Sequence, residues 1–118
     1  MRYGRDLCLA FVCVSIGISA CAERRLPNSY TYVITNACEA VIEDPQEEII
    51  VPQNVAKYVV IKEFIIGIRK NSCNLTRDYA GPYGFFIVNT KTGYVKLGLS
   101  RAELRDRMRT LGLDDVNL

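Results

Sequence analysis

The 118-residue chain contains no histidine and no tryptophan. Without histidine it cannot build Ser-His or Cys-His nucleophile pairs, histidine general bases or most zinc sites. It also has no phosphate-binding glycine loop and no Ser-x-x-Lys motif. A pair of carboxylates can cleave a glycoside, and five are candidates for that role: Glu39, Glu43, Asp44, Glu47 and Glu48. A small chain without tryptophan makes a poor glycosidase, however. Together with the missing histidine and the missing motifs, this predicts no catalytic residue, no metal site and no cofactor.

Neither sign of charge dominates the chain, which contains 15 Lys and Arg and 13 Asp and Glu for a net charge of +2. No basic stripe with interleaved aromatic residues is present, which argues against a nucleic-acid partner. Four carboxylates do cluster between Glu43 and Glu48. Calcium loops need alternating ligands and a glycine for the bend, whereas this stretch has Pro45 and no glycine. The cluster therefore predicts a solvated acidic turn.

The one long apolar run extends from Leu7 to Ala20, after the basic residues Arg2 and Arg5. It is too short for a membrane-spanning helix and has the length of the apolar region of a secretory signal. Residues 1–20 are therefore predicted to be a signal peptide. Removing them leaves 13 basic and 12 acidic side chains, a net charge of +1.

The run ends in Ile18-Ser19-Ala20-Cys21, which resembles the bacterial lipobox. This resemblance implies cleavage before Cys21, which then carries three acyl chains (palmitate or similar) as the first residue of the mature protein. Each buried CH₂ group contributes about 0.8 kcal/mol, so three chains hold a protein firmly on a membrane. Since Ala22 rather than Asp follows, the implied location is the outer membrane if the cell has two membranes. Alternatively, Ala20-Cys21-Ala22 fits the general signal-peptidase pattern, which releases a soluble secreted or periplasmic protein starting at Glu23.

The five cysteines divide by location. Cys8 and Cys13 leave with the signal peptide and Cys21 is lipidated, so Cys38 and Cys73 remain as a pair. In an oxidising compartment they are expected to form a disulfide, with two separate buried thiols as the alternative. The bridge would close a loop that contributes about 3.8 kcal/mol on the chain-entropy estimate.

The remaining sequence predicts residues 21–28 as a polar tether and 29–118 as one small α+β domain. Alternating β-branched and aromatic residues predict a strand at Ser29 to Thr35, with a further short strand at Cys38 to Val41. The acidic turn then precedes the apolar stretch Ile49-Ile50-Val51-Pro52. The segment from Lys57 to Lys70 predicts two interior strands joined by a hairpin with a wide turn around Lys62-Glu63.

A second hairpin joins Phe85-Val88 to Tyr94-Leu97 through a loop that ends in Gly93. Ser100 to Glu103 forms a capping box that starts a helix with Leu104, Met108 and Leu111 on one face. Gly112 should end that helix in a Schellman-type turn. Together these elements predict an antiparallel meander of four to six strands with the C-terminal helix packed on one face.

Several stretches of the mature chain resemble a family of short, uncharacterised bacterial lipoproteins. They are Leu26-Pro27-Asn28-x-Tyr30, Ile50 to Val55, Phe64-Ile65-Ile66, Phe86 to Gly93 and Gly98-Leu99-Ser100-x-x-Glu103 with its end near Leu111-Gly112-Leu113. The resemblance covers nearly all of residues 26–113. Its motifs are turns and caps, so it implies an envelope lipoprotein and supplies no activity.

The irregular stretch from Arg69 to Gly84 is the predicted place for any binding surface, with Arg77, Tyr79 and Tyr83 as candidates. For Tyr79 and Tyr83 the sequence favours the alternative that they cap the edge of the sheet. The sequence favours a non-catalytic module that binds an envelope protein and reaches the membrane through its lipid anchor. The alternatives are a structural surface component, a soluble secreted protein, an immunity factor or a carboxylate-based hydrolase. Oligomeric state is left open.

Overall fold

Two antiparallel sheets and one helix form the regular structure of the protein in a computed structural model that describes residues 22–36, 38–71, 82–114 and 116–118. Sheet A contains β1 (Ala22–Arg25), β2 (Thr31–Ile34), β3 (Ala40–Glu43) and β4 (Ile49–Val51). Sheet B contains β5 (Val55–Ile61), β6 (Phe64–Arg69), β7 (Gly84–Asn89) and β8 (Val95–Leu99). The helix α1 covers Arg101–Thr110. In both sheets the strands lie in sequential order, which confirms the predicted α+β fold. The described strands number eight and divide into two sheets of four, whereas the sequence indicates one sheet of four to six strands.

Sheet A differs from the prediction at its first strand. Residues 22–25, predicted as part of a tether, form β1 and pair antiparallel with β2 in the register Ala22 to Ile34 and Arg24 to Tyr32. The sequence Ala-Glu-Arg-Arg has neither alternation nor β-branched residues, so its strand conformation depends on the ladder of hydrogen bonds to β2. Residues 22–25, which follow Cys21 directly in the sequence, therefore belong to sheet A and do not form a tether.

The acidic turn of sheet A is organised by Asp44. Its carboxylate oxygen Oδ1 accepts hydrogen bonds from the backbone N–H groups of Gln46 and Glu48, each at 2.9 Å. This is the local side-chain-to-backbone bonding that makes Asp a turn former. The turn leads into β4, and β3 and β4 pair with a register shift at Ile42 and Glu43.

The β5–β6 hairpin forms as predicted, but its turn is tight. Ile61 pairs with Phe64, so only Lys62 and Glu63 remain in the turn, and Lys62 takes a positive φ of 55°. A two-residue turn usually has glycine or asparagine at such a position. Because the sequence has Lys62 instead, it indicates a wider turn. The strand β6 is buried as predicted. In contrast, β5 is an edge strand with Val60 42% exposed.

The β7–β8 hairpin and the start of α1 follow the predictions closely. The Glu103 N–H donates to Ser100 Oγ at 3.1 Å and the Ser100 N–H donates to Glu103 Oε1 at 2.8 Å, which completes the capping box. At the other end Gly112 has φ 72°, and Leu113 N–H donates to the Met108 carbonyl at 2.9 Å in a Schellman turn.

Sheet B is the middle layer of three. Alternate residues of β6 and β7 face opposite sides, because successive side chains of a strand point to opposite faces. Ile65, Phe86 and Val88 pack towards sheet A. The residues that face α1 form a second cluster with it: Phe64, Ile66, Phe85, Ile87, Leu99, Leu104 and Met108. The domain thus builds two apolar interfaces, and both include residues of the same two central strands, β6 and β7.

Leu111 does not join that cluster, contrary to the predicted apolar helix face. Because α1 ends at Thr110, Leu111 is the C-cap residue and remains 44% exposed. Leu113 packs against the cluster in its place after the turn at Gly112. No helix among the described residues is long and apolar enough to cross a bilayer.

Candidate functional site

Most of the residues that the sequence selects as sites lie outside the described residues. These are Cys21, Cys73, Arg77 and Tyr79. Cys38 is described and is disulfide-bonded. Its predicted pairing with Cys73 stays a prediction. Tyr83 is 40% exposed and is the one predicted binding residue whose surroundings the structure gives.

Tyr83 lies over a buried arginine. The guanidinium carbon of Arg69 is 4.8 Å from the centroid of the Tyr83 ring, which is cation–π distance. Arg69 is 1% exposed and donates three hydrogen bonds of 2.7 Å, one each to the carbonyl oxygens of Pro52, Gln53 and Pro82. Burial lowers the pKa of Arg69 and the nearby Tyr83 partly offsets this effect, although an arginine stays charged in proteins.

These contacts give Arg69 a structural role. It joins the β4–β5 connection at Pro52 and Gln53 to the segment that enters β7 at Pro82. Its planar fork of donors suits three separate carbonyl groups better than a lysine ammonium would. The arrangement positions both ends of the stretch between β6 and β7, where the sequence places Arg77 and Tyr79.

The larger of the two grooves that we describe lies between β8 and α1 and has a volume of about 830 Å³. Its floor consists of the buried side chains of Phe64, Ile87 and Leu99. Two large hydrophobic side chains stand exposed at its rim, Tyr94 at 45% and Leu111 at 44%. The volume falls within the usual range for ligand sites, and the apolar floor with two exposed hydrophobic groups favours binding over catalysis.

Charged side chains of both signs line the walls of this β8–α1 groove. Arg107 donates a hydrogen bond to the Tyr94 hydroxyl and its guanidinium lies 5.8 Å from the centre of that ring. Hydrogen bonds from the Ser100 backbone and hydroxyl are the main cause that lowers the pKa of Glu103, and the positive charges of Lys96 and Arg107 lower it further. The carboxylate of Glu103 is therefore ionised at neutral pH, and it accepts the hydrogen bond of the helix cap from the Ser100 N–H.

A second groove of about 620 Å³ lies where the edge strands β1 and β5 approach each other. The rings of Tyr32 and Tyr58 meet inside it with their centroids 4.6 Å apart. Burial raises the pKa of both phenols, and the positive charge of Arg24 acts against that rise. Arg24 and Lys57 are exposed at the rim.

The acidic residues considered as hydrolase candidates line neither groove. Within the described ranges no group of three or more His, Cys, Asp or Glu side chains is placed to hold a metal ion. The Asp44 carboxylate accepts hydrogen bonds from backbone N–H groups of its own turn.

Comparisons with protein-family models, with curated proteins and with solved structures find no match. The resemblance to a lipoprotein family therefore stays a prediction.

Sequence reasoning missed the β8–α1 groove because it assigned its rim residues to other roles. Leu111 continues the spacing of Leu104 and Met108, and so it predicts a core position. Tyr94 continues the apolar alternation of β8. For Leu111 the signal that could have found it is Gly112, since a glycine directly after Leu111 implies a C-cap residue at the helix end rather than a residue of the buried face.

Proposed function

We propose that this protein is a lipid-anchored component of the bacterial cell envelope that binds another envelope protein and catalyses no reaction. The observation that carries the proposal is the lipobox pattern Ile18 to Cys21 placed directly before the first strand. Cleavage before Cys21 would retain every strand and the helix that the structure describes, since the described residues start at Ala22. In a cell with two membranes the outer membrane is the expected location.

The β8–α1 groove supports the binding part of the proposal. The strand β8 lies at the end of sheet B, so one side of its backbone has no neighbouring strand among the described residues. A segment in extended conformation can add to such an edge, with backbone hydrogen bonds supplying affinity and side-chain pockets supplying specificity. We therefore take the occupant to be an extended segment of a partner protein, with an apolar side chain seated between Tyr94 and Leu111.

The anchor is tested by the intact mass of the protein extracted from membranes. A mass equal to residues 21–118 plus a diacylglyceryl group and one acyl chain is the expected result. Replacement of Cys21 with serine should abolish the added mass and release the protein from the membrane fraction. A wild-type chain that starts at Glu23 without acyl groups would refute the anchor and leave a soluble secreted protein.

The binding surface is tested by placing a photo-activatable amino acid at Leu111 in cells. The matched control is Ile49, which is 55% exposed on β4 and does not line the groove. We expect Leu111 to give an adduct whose cross-linked peptide is an extended segment, and we expect Tyr94→Ala to weaken it. Equal adducts from both positions, or none from either, would contradict a binding role of this groove and favour a structural surface component.

A further inference from the structure

We propose that the groove between β1 and β5 is the face that the protein presents to the phospholipid headgroups of its own membrane. This inference depends on the lipid anchor of the proposed function. It adds the orientation of the domain on the membrane. The edge strands β1 and β5 lie against the bilayer, and the β8–α1 groove remains accessible to a partner.

The position of the anchor carries the first step. Neighbouring Cα atoms are about 3.8 Å apart, so an acylated Cys21 holds Ala22 almost at the level of its own lipid chains. Ala22 is the first residue of β1 and is fixed by its pairing with Ile34. Both residues line the β1–β5 groove. Because no tether intervenes, this groove must lie next to the headgroup layer, which is only about 5–8 Å deep on each side of the hydrocarbon.

The side chains in the groove fit that position. Tyr32 and Tyr58 contact each other there, and Val60 is exposed on the same strand as Tyr58. Tyrosine is enriched at membrane interfaces because its ring is apolar while its hydroxyl can bond to headgroups or water. Without a membrane, the apolar parts of Tyr32, Tyr58 and Val60 in this groove would contact water.

The charges at the rim define the chemistry of the membrane surface. Arg24 and Lys57 are exposed and line the groove, with Glu23 as their acidic neighbour. Basic side chains near a bilayer attract anionic headgroups. The partner is therefore a surface that contains anionic phospholipid, and a protein partner or a second copy would be alternative occupants of this groove.

The test compares two exposed β-branched residues, of which Val60 lines the β1–β5 groove and Ile49 lines neither groove. Acylated protein carrying Val60→Cys or Ile49→Cys is labelled with a polarity-sensitive fluorophore and placed in vesicles of phosphatidylcholine with phosphatidylglycerol. We expect a blue shift and a loss of quenching by aqueous iodide at position 60, and neither change at position 49. Lys57→Glu should reduce the shift at position 60, whereas Lys91→Glu in the β7–β8 loop should not.

Each other outcome overturns the inference in a recognisable way. Equal aqueous emission at both positions in fully acylated protein would show that the groove faces away from the membrane, while the anchor itself stands. A shift at position 60 that appears only at high protein density would assign the groove to a second copy. An unacylated chain, identified by its intact mass before labelling, would overturn both this inference and the proposed function.

Discussion

Replacing Arg69 with alanine should strongly destabilise the domain. The substitution removes the donor to the carbonyl oxygens of Pro52, Gln53 and Pro82, of which the bond to Gln53 is buried and the other two are partly buried. Hydrogen bonds to charged groups contribute about 1.5–3 kcal/mol each, but bonds that share one side chain are not additive. Removing one partner of a buried charged network typically costs about 3–5 kcal/mol, and we expect a loss in that range. Since small domains are stable by only about 5–15 kcal/mol, the loss is a large share of the total.

Arg69→Lys separates charge from geometry. A lysine ammonium keeps the positive charge but lacks the planar fork that reaches three carbonyl groups in different directions. We expect it to recover part of the stability, with a remaining loss of about 1–3 kcal/mol from the carbonyl groups left unbonded. The surface control is Arg109→Ala, whose ion pair with Asp106 spans 3.0 Å between side chains that are 70% and 73% exposed. Such pairs contribute about 0–1 kcal/mol.

The assay is urea unfolding with the disulfide intact, monitored by circular dichroism. The slope of the unfolding free energy against urea concentration should be equal across the variants. Two results would refute the reasoning about Arg69. One is a loss of less than about 1 kcal/mol for Arg69→Ala, which is no more than an exposed ion pair contributes. The other is a lysine variant as stable as the wild type, because then the three-way geometry would not matter.

Three further outcomes follow from the packing and the caps. Gly67→Ala should destabilise by about 1–3 kcal/mol in urea unfolding, since an added Cβ would lie 2.5 Å from Phe86 Cζ in a filled core. The lowered pKa of Glu103, held down by the Ser100 hydrogen bonds, stabilises the fold above the carboxyl's ordinary pKa, and this contribution is lost as the pH falls through the lowered value. The stability gap between wild type and Glu103→Gln should therefore close on acidification and stay constant near neutrality. Reducing the disulfide of Cys38 should lower the thermal midpoint, at a cost of about 2–5 kcal/mol.

The sequence predicts those elements whose conformation is decided by nearby residues. The β7–β8 hairpin is set by alternation and by the glycine of its loop, and α1 is set by Ser100, Glu103 and Gly112. Each of these signals acts over a few residues, so a single segment contains all the information. The general α+β class follows from the same local signals.

The division into two sheets is not local and could not be predicted in this way. Nothing in the sequence of β4 or β5 indicates that the two strands belong to different sheets and that the strand pairing is interrupted between Val51 and Val55. That break depends on how the chain turns at Pro52 and Gln53, whose carbonyl groups bond to Arg69 from a strand far along the chain. An arginine in a buried strand looks like a surface residue until its partners are known.

The first strand shows why a local prediction can also mislead about function. Ala22 to Arg25 looks like a polar tether because three of its four residues are charged, and edge strands commonly carry charge to prevent further pairing. Only the hydrogen bonds to β2 identify it as part of the domain. This matters because a tether would let the domain move freely above its anchor, whereas a strand that includes Ala22 leaves a single peptide bond between Cys21 and sheet A. If the cysteine is acylated, the anchor does more than retain the protein at the membrane: it determines which surface faces the bilayer and which grooves remain open to a partner.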